Sequence, residues 1–124
     1  MDYPEILSQN AGDHSVLLEL DIKPALDAFE GHFDQFPIVP GVVQIGWSLH
    51  FFNQLLATNL NPEKRAVIDK ISALKFQHVI TPNTPVSLEL AHDLNKQQLS
   101  FRFFNHDHQF SSGKIHLDDC QNSA

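Results

Sequence analysis

The chain has little of what several functional classes require. Its single cysteine, Cys120, lies in the polar tail running from Asp118 to Ala124, so neither an internal disulfide nor a paired-thiol redox motif can form. Basic residues are scarce: eight Lys and Arg stand against fifteen Asp and Glu, a formal charge of −7. That balance argues against non-specific nucleic-acid binding, which depends on neutralising phosphates with cations. Lys64, Arg65 and Lys70 are the nearest thing to a basic cluster, and they read as solvated charges bordering a strand. No window approaches the roughly 18 uninterrupted apolar residues of a membrane span, and Met1-Asp2-Tyr3-Pro4-Glu5 has no basic segment leading into an apolar one. Repeats and low-complexity segments are lacking too. The expectation is a soluble, cytoplasmic protein with small-molecule or protein partners, and with no nucleic acid and no membrane among them.

What the chain does have is apolar material. Its 124 residues are 42% hydrophobic and include ten phenylalanines, enough for the core of one domain spanning 1–124. Val16, Leu18, Leu20 and Ile22 alternate with Leu17, Glu19 and Asp21, the period of a half-buried strand. From Gly41 to Thr58 apolar residues fall on nearly every face, which predicts one long helix buried on most sides. Asn61-Pro62 ends it. Strand patterns follow at Leu74 to Ile80, Val86 to Leu90, Leu99 to Phe103 and Phe110 to Leu117, separated by turns at Thr81 to Pro85, Asn95-Lys96 and Asn105 to His108. Gly113 inside the last of these marks a bulge or a close backbone approach. The fold class is α+β: one long helix wrapped by a curved antiparallel sheet of about five strands. So apolar a helix needs more cover than one small sheet provides, so a dimer is expected.

The segment from Gly31 to Trp47 carries the chemistry. It joins His32 and Phe33 to a loop braced by Pro37 and Pro40, and then to the start of the helix. Pro40 suits the position where a missing N–H costs nothing, and Gly41 lets backbone approach a ligand closely. The amides of Gly41 and Val42 then face outward, and amides at a helix start are suited to hold a carbonyl or oxyanion.

At these residues the chain resembles the hotdog-fold (3R)-hydroxyacyl acyl-carrier-protein dehydratases, whose signature runs Gly-His-Phe, a short loop, Pro, two residues, Pro-Gly-Val, and then an Asp or Glu within the helix. The match is clear from Gly31 to Val42. Val79 to Pro85 and Ser112 to Ile115 look like the family's later strands, and Gln44-Ile45-Gly46-Trp47 looks closest to a subgroup associated with aryl-polyene pathways. The resemblance implies a homodimer with composite sites, each pairing one protomer's loop histidine with the other's helix carboxylate. It further implies His32 as the base at C2 and the Gly41 amide as carbonyl anchor, with Phe33, Pro40, Val42, Gly46 and Trp47 lining the substrate site. The substrate is carried on phosphopantetheine or coenzyme A, the partner is an acyl carrier protein or an acyl-CoA thioester, and no further cofactor or metal is implied.

The carboxylate position falls on Gly46, which cannot donate a proton. His50 lies four residues on, hence on the same helix face, and is either a replacement acid or an interface histidine. Asp34 and Glu30 beside His32 read as loop solvation, and His106 with His108 as an exposed turn that lacks a third metal ligand. Three functions follow. The first is a dehydratase acting on a 3-hydroxyacyl thioester, weakened by the missing acid. The second is a non-catalytic acyl-binding subunit, or one that completes a heterodimer with a carboxylate-bearing relative. The third, a thioesterase on the same fold, needs a water-positioning residue that the helix does not offer.

Overall fold

The computed structural model describes residues 2–29, 37–56 and 67–118. Among them six strands, β1 (Glu5–Ala11), β2 (Ser15–Asp21), β3 (Val67–Phe76), β4 (Val86–Asp93), β5 (Gln98–Phe104) and β6 (Gln109–Asp118), form a single sheet in the order β1-β2-β4-β5-β6-β3. Every neighbouring pair is antiparallel. One face of this sheet packs on helix α1 (Gly41–Phe51). Trp47, Phe51 and Phe52 join Leu18, Leu88, Leu90, Phe101, Phe103 and Ile115 in one buried cluster. Each large side chain so buried contributes roughly 1.5–3 kcal/mol, which is why the alternation along β2, β4 and β5 fixes which face turns inward.

The expected α+β arrangement of one helix and a curved antiparallel sheet is present, with three corrections. The sheet has six strands, not about five. The added strand, β1, lies at an edge and is exposed along nearly all its length, so no apolar alternation announces it. A register shift between Ile6 and Ser8 breaks what alternation there is and leaves Leu7 facing solvent.

The strand expected from Leu74 to Ile80 lies earlier, at Val67–Phe76, and Gln77 to Pro85 is a connection. Ala73 and Leu74 together face Gly113 on β6, since Ser72 pairs with Lys114 and Lys75 with Ser112. This two-against-one bulge, with Ala73 at φ 51°, resets the phase of the side chains. The Gln77 and His78 amides then both donate to Phe110 O, at 2.9 and 3.2 Å, and the ladder ends. Gly113 is required there: a Cβ would lie 2.8 Å from the ring of buried Phe101.

The helix expected from Gly41 to Thr58 is regular only to Phe51. Phe52–Leu56 widens into a π-helical turn, and residues 57 and 58 lie outside the described residues. Its inward face is also less apolar than its composition suggests. Gln44 and Ser48 are buried with Trp47 and Phe51, while Val42 is 75% exposed.

Candidate functional site

Extended backbone at Pro40, with φ −61° and ψ 151°, turns directly into α1, and among the described residues no side chain caps the helix. The amides of Val43 and Gln44 both donate to Pro40 O at 3.1 Å, so among the described residues the two amides ahead of them, those of Gly41 and Val42, are the ones left over. The loop leading in is pinned twice through Val39. Its N–H donates to Ile80 O at 2.9 Å, and its carbonyl accepts from Gln44 Nε2 at 3.1 Å. Gln44 itself is fixed from behind, because its Oε1 accepts from Ser111 Oγ on β6 at 2.6 Å and its carbonyl accepts from Ser48 Oγ at 2.9 Å. The helix start thus rests on the sheet through a buried polar chain whose members are all satisfied, the condition under which such a chain rigidifies.

The ring of Phe76, the last residue of β3, closes over Gly41. Phe76 Cζ lies 2.5 Å from where a Cβ would stand, so only glycine admits this contact. Phe76 is nevertheless 49% exposed, and Leu74, Val79 and Val42 are exposed as well. The sheet edge at β3 and the adjoining helix start therefore carry large apolar side chains in solvent.

Gly46 lies mid-helix and half-buried, and no Asp or Glu occurs from Gly41 to Leu56. His50 is half-buried under Tyr3, whose ring lies flat on the imidazole with centroids 3.5 Å apart and planes 4° apart. Phe51 meets the same imidazole edge-on at 5.1 Å. Tyr3 is brought there by a reciprocal pair of bonds, Asp2 N–H to Asp27 Oδ2 at 3.0 Å and Asp27 N–H to Asp2 Oδ2 at 3.3 Å. Trp47 is fully buried in the core, and its indole N–H, like Asn53 Oδ1 further along, has no hydrogen-bond partner among the described residues. Buried polar atoms are seldom left so.

The remaining sequence candidates do not gather at one place among the described residues. His32 and Phe33, with Glu30 and Asp34, lie outside the described residues. His108 stacks on His78 at 3.8 Å with planes 9° apart, and His106 is exposed in the turn that Asn105 organises by accepting the Asp107 and His108 amides. Among the described residues no three His, Cys, Asp or Glu gather in a metal-binding arrangement. His92 packs edge-on against Phe52 at 4.9 Å; burial, followed by the nearby His14, holds its pKa below the ordinary 6.5, and Asp93 only partly opposes this.

Four residues escaped sequence reasoning: Gln44, Ser111, Phe76 and Tyr3. Gln44 carried a signal, as a polar residue in an apolar run asks for a buried partner. The other three act through contacts between distant parts of the chain, which periodicity does not report.

Residues 8–114 match the ApeI-like family, described as ApeI dehydratase. Among solved structures, the chain is 32% identical to the dehydratase heterocomplex ApeI:P from Xenorhabdus doucetiae, covering 94% of this chain and 98% of that one at a TM-score of 0.82. An uncharacterized protein from Erwinia carotovora subsp. atroseptica is 31% identical over 97% of this chain and 99% of its own, with a TM-score of 0.78. A variant of the PpsC dehydratase domain from Mycobacterium tuberculosis is 14% identical at a TM-score of 0.64, with 93% of this chain and 44% of that one covered, a likeness of fold alone. No curated protein matches. The family match over most of the chain, together with two relatives above 30% identity, shows that this hotdog-fold chain belongs to the ApeI-like dehydratase family.

Proposed function

We propose that this chain is the histidine-bearing half of a dehydratase for 3-hydroxyacyl thioesters, completed by a related subunit that supplies the acid. The observation that carries the proposal is the lack of any carboxylate from Gly41 to Leu56, with glycine at position 46. Loss of water from a 3-hydroxyacyl thioester breaks the C2–H and C3–O bonds and forms the C2–C3 double bond. The proton from C2 goes to a base, and the hydroxyl leaves as water after receiving a proton from an acid. In this reading His32 is the base. The outward amide of Gly41 holds the thioester carbonyl, on which charge gathers as C2 is deprotonated. The partner's helix carboxylate is the acid. The thioester is carried on phosphopantetheine or coenzyme A, with an acyl carrier protein as the expected donor. A heterocomplex is what the solved ApeI:P dehydratase is described as.

The partner pairs along β3 in this reading. β3 closes one edge of the sheet, and an uncovered edge presents unpaired backbone donors and acceptors. Exposed Leu74, Phe76 and Val79, beside Val42, supply the apolar area that a subunit contact needs. A homodimer through the same edge would contain two histidines and no helix acid.

A second reading has one specific observation behind it. His50 lies one turn beyond Gly46, and the Tyr3 stack holds its imidazole in a defined plane, as a proton donor must be held. Here the homodimer itself is active.

The test is the conjugated enoyl absorbance formed from a 3-hydroxyacyl thioester. The half-site reading expects little turnover by the chain alone and a marked rise on mixing with an Asp- or Glu-bearing relative. It further expects that rise to vanish with His32→Ala. Full activity of the chain alone, lost in His50→Ala, would overturn the half-site in favour of the second reading.

A further inference from the structure

The solvent face of the sheet, opposite the one covered by α1, is unevenly charged. Glu19 and Asp21 on β2 and Glu89 on β4 lie toward one side; Arg102 on β5, Lys114 on β6 and Lys75 on β3 lie toward the other. Three of the chain's eight Lys and Arg thus border one depression of about 300 Å³, in a protein of net charge −7.

The strand register explains the depression. Glu89 stands opposite Arg102, Arg102 opposite Ser112, and Ser112 opposite Lys75, while Lys114 stands opposite Ser100 one row away. Its floor is made of short groups, Ala91, Ser100, Ser112 and Gly113, and its rim of long cationic ones. The bulge at Ala73 and Leu74 bends β3 beside it.

The rim is prepared for an anion. Arg102 Nη2 lies 3.3 Å from Glu89 Oε1, and the guanidinium carbon sits 4.0 Å over the Phe104 ring, which together fix the fork. Lys75 and Lys114 have no acidic partner among the described residues. Three cations against Glu89 leave a local charge of +2 beside two hydroxyls.

We propose that this depression binds a small phosphate-bearing anion. The fork of Arg102 takes phosphate oxygens in pairs, the lysines supply point charges, and Ser100 and Ser112 donate from below. The depression is too small for a protein surface and matches a diphosphate or the phosphorylated end of a nucleotide in scale. It lies across the sheet from Gly41, so this ligand is bound apart from any thioester held at the helix start. The site stands whether or not the chain takes part in dehydration.

The test is a titration of the whole chain with inorganic pyrophosphate and, separately, adenosine 3′,5′-bisphosphate, followed by amide NMR and calorimetry. Saturable shifts are expected at Ser100, Ser112, Gly113 and Lys114. Lys75→Glu with Lys114→Glu should weaken binding about tenfold or more, since two charge-assisted contacts are reversed. Lys75→Gln with Lys114→Gln gives a smaller loss and serves if the double reversal fails to fold. Tighter binding of the bisphosphate identifies a nucleotide as the source, and equal binding identifies the phosphate group alone; either supports the site. Shifts spread over Lys23, Lys70 and Lys96 as well, or unchanged by both variant pairs, would overturn it. So would binding of an acidic peptide by a chain that takes up neither phosphate.

Discussion

Ser111 Oγ donates to Gln44 Oε1 at 2.6 Å, joining the start of β6 to the first turn of α1 through two buried side chains 67 residues apart. Through Gln44 Nε2 the same contact reaches Val39, and so sets the loop that delivers Gly41. In Ser111→Ala a buried carbonyl oxygen is left without its donor, at a cost of about 1–3 kcal/mol. Adding Gln44→Met should recover part of that loss because both polar partners are then gone. Chemical denaturation of the four proteins in this cycle measures the coupling; strictly additive losses would show that the contact contributes nothing.

Gly113→Ala and Gly41→Ala should differ although both place a methyl against a phenyl ring. At Gly113 the ring is that of Phe101, buried and unable to yield, so overpacking of about 1–3 kcal/mol is expected. At Gly41 the ring is half-exposed Phe76, which can swing outward, and the stability loss should be under about 1 kcal/mol. Melting temperatures of the two variants decide this, and a larger loss at Gly41 would count against it.

Stability should fall on acidification through His92. Its folded pKa lies below the ordinary 6.5, so the unfolded chain binds the proton more readily. The contribution is therefore fully present above about pH 6.5 and is lost as pH falls from there through the lowered folded value. His92→Gln should reduce the difference in melting temperature between pH 7.5 and pH 5. An unchanged difference would place the acid sensitivity elsewhere.

If Gly46 marks a missing acid, Gly46→Asp should raise dehydration of a 3-hydroxyacyl thioester by at least about tenfold, a conservative part of the ~10²–10⁴ that a positioned acid supplies. The change does not lower helix propensity, since glycine is already a poor helix former. A dimeric, soluble Gly46→Asp protein that remains inactive, alone and with a carboxylate-bearing relative, would remove the dehydratase proposal.

Tyr3→Ala should expose His50 and lower stability by about 0.5–1.5 kcal/mol, the worth of an aromatic pair. If His50 is the acid, Tyr3→Ala should also shift the pH dependence of turnover, a response that a packing role alone does not produce.

Much of the architecture was legible along the chain. The alternation at Val16 to Ile22, Val86 to Leu90 and Leu99 to Phe103 marks β2, β4 and β5, because one face of each meets the core and the other meets water. Pro40 ahead of the apolar run from Gly41 marks the helix start, because proline is tolerated where the N–H has no intrahelical partner. β1 was not legible, since an exposed edge strand needs no apolar alternation, and β3 was misplaced because its bulge shifts the phase of the pattern.

The order of side chains along the chain thus determined the fold class, the family, the place of the loop and helix start, and the lack of an acid at Gly46, all properties that local spacing and residue identity express. Tertiary structure alone decided that Gln44 is tied to Ser111, that Phe76 covers Gly41, that Tyr3 lies on His50, and that Lys75, Arg102 and Lys114 border one depression. Each of these depends on which distant parts of the chain become neighbours. That is set by burying the whole apolar set at once, and no local stretch of sequence encodes it.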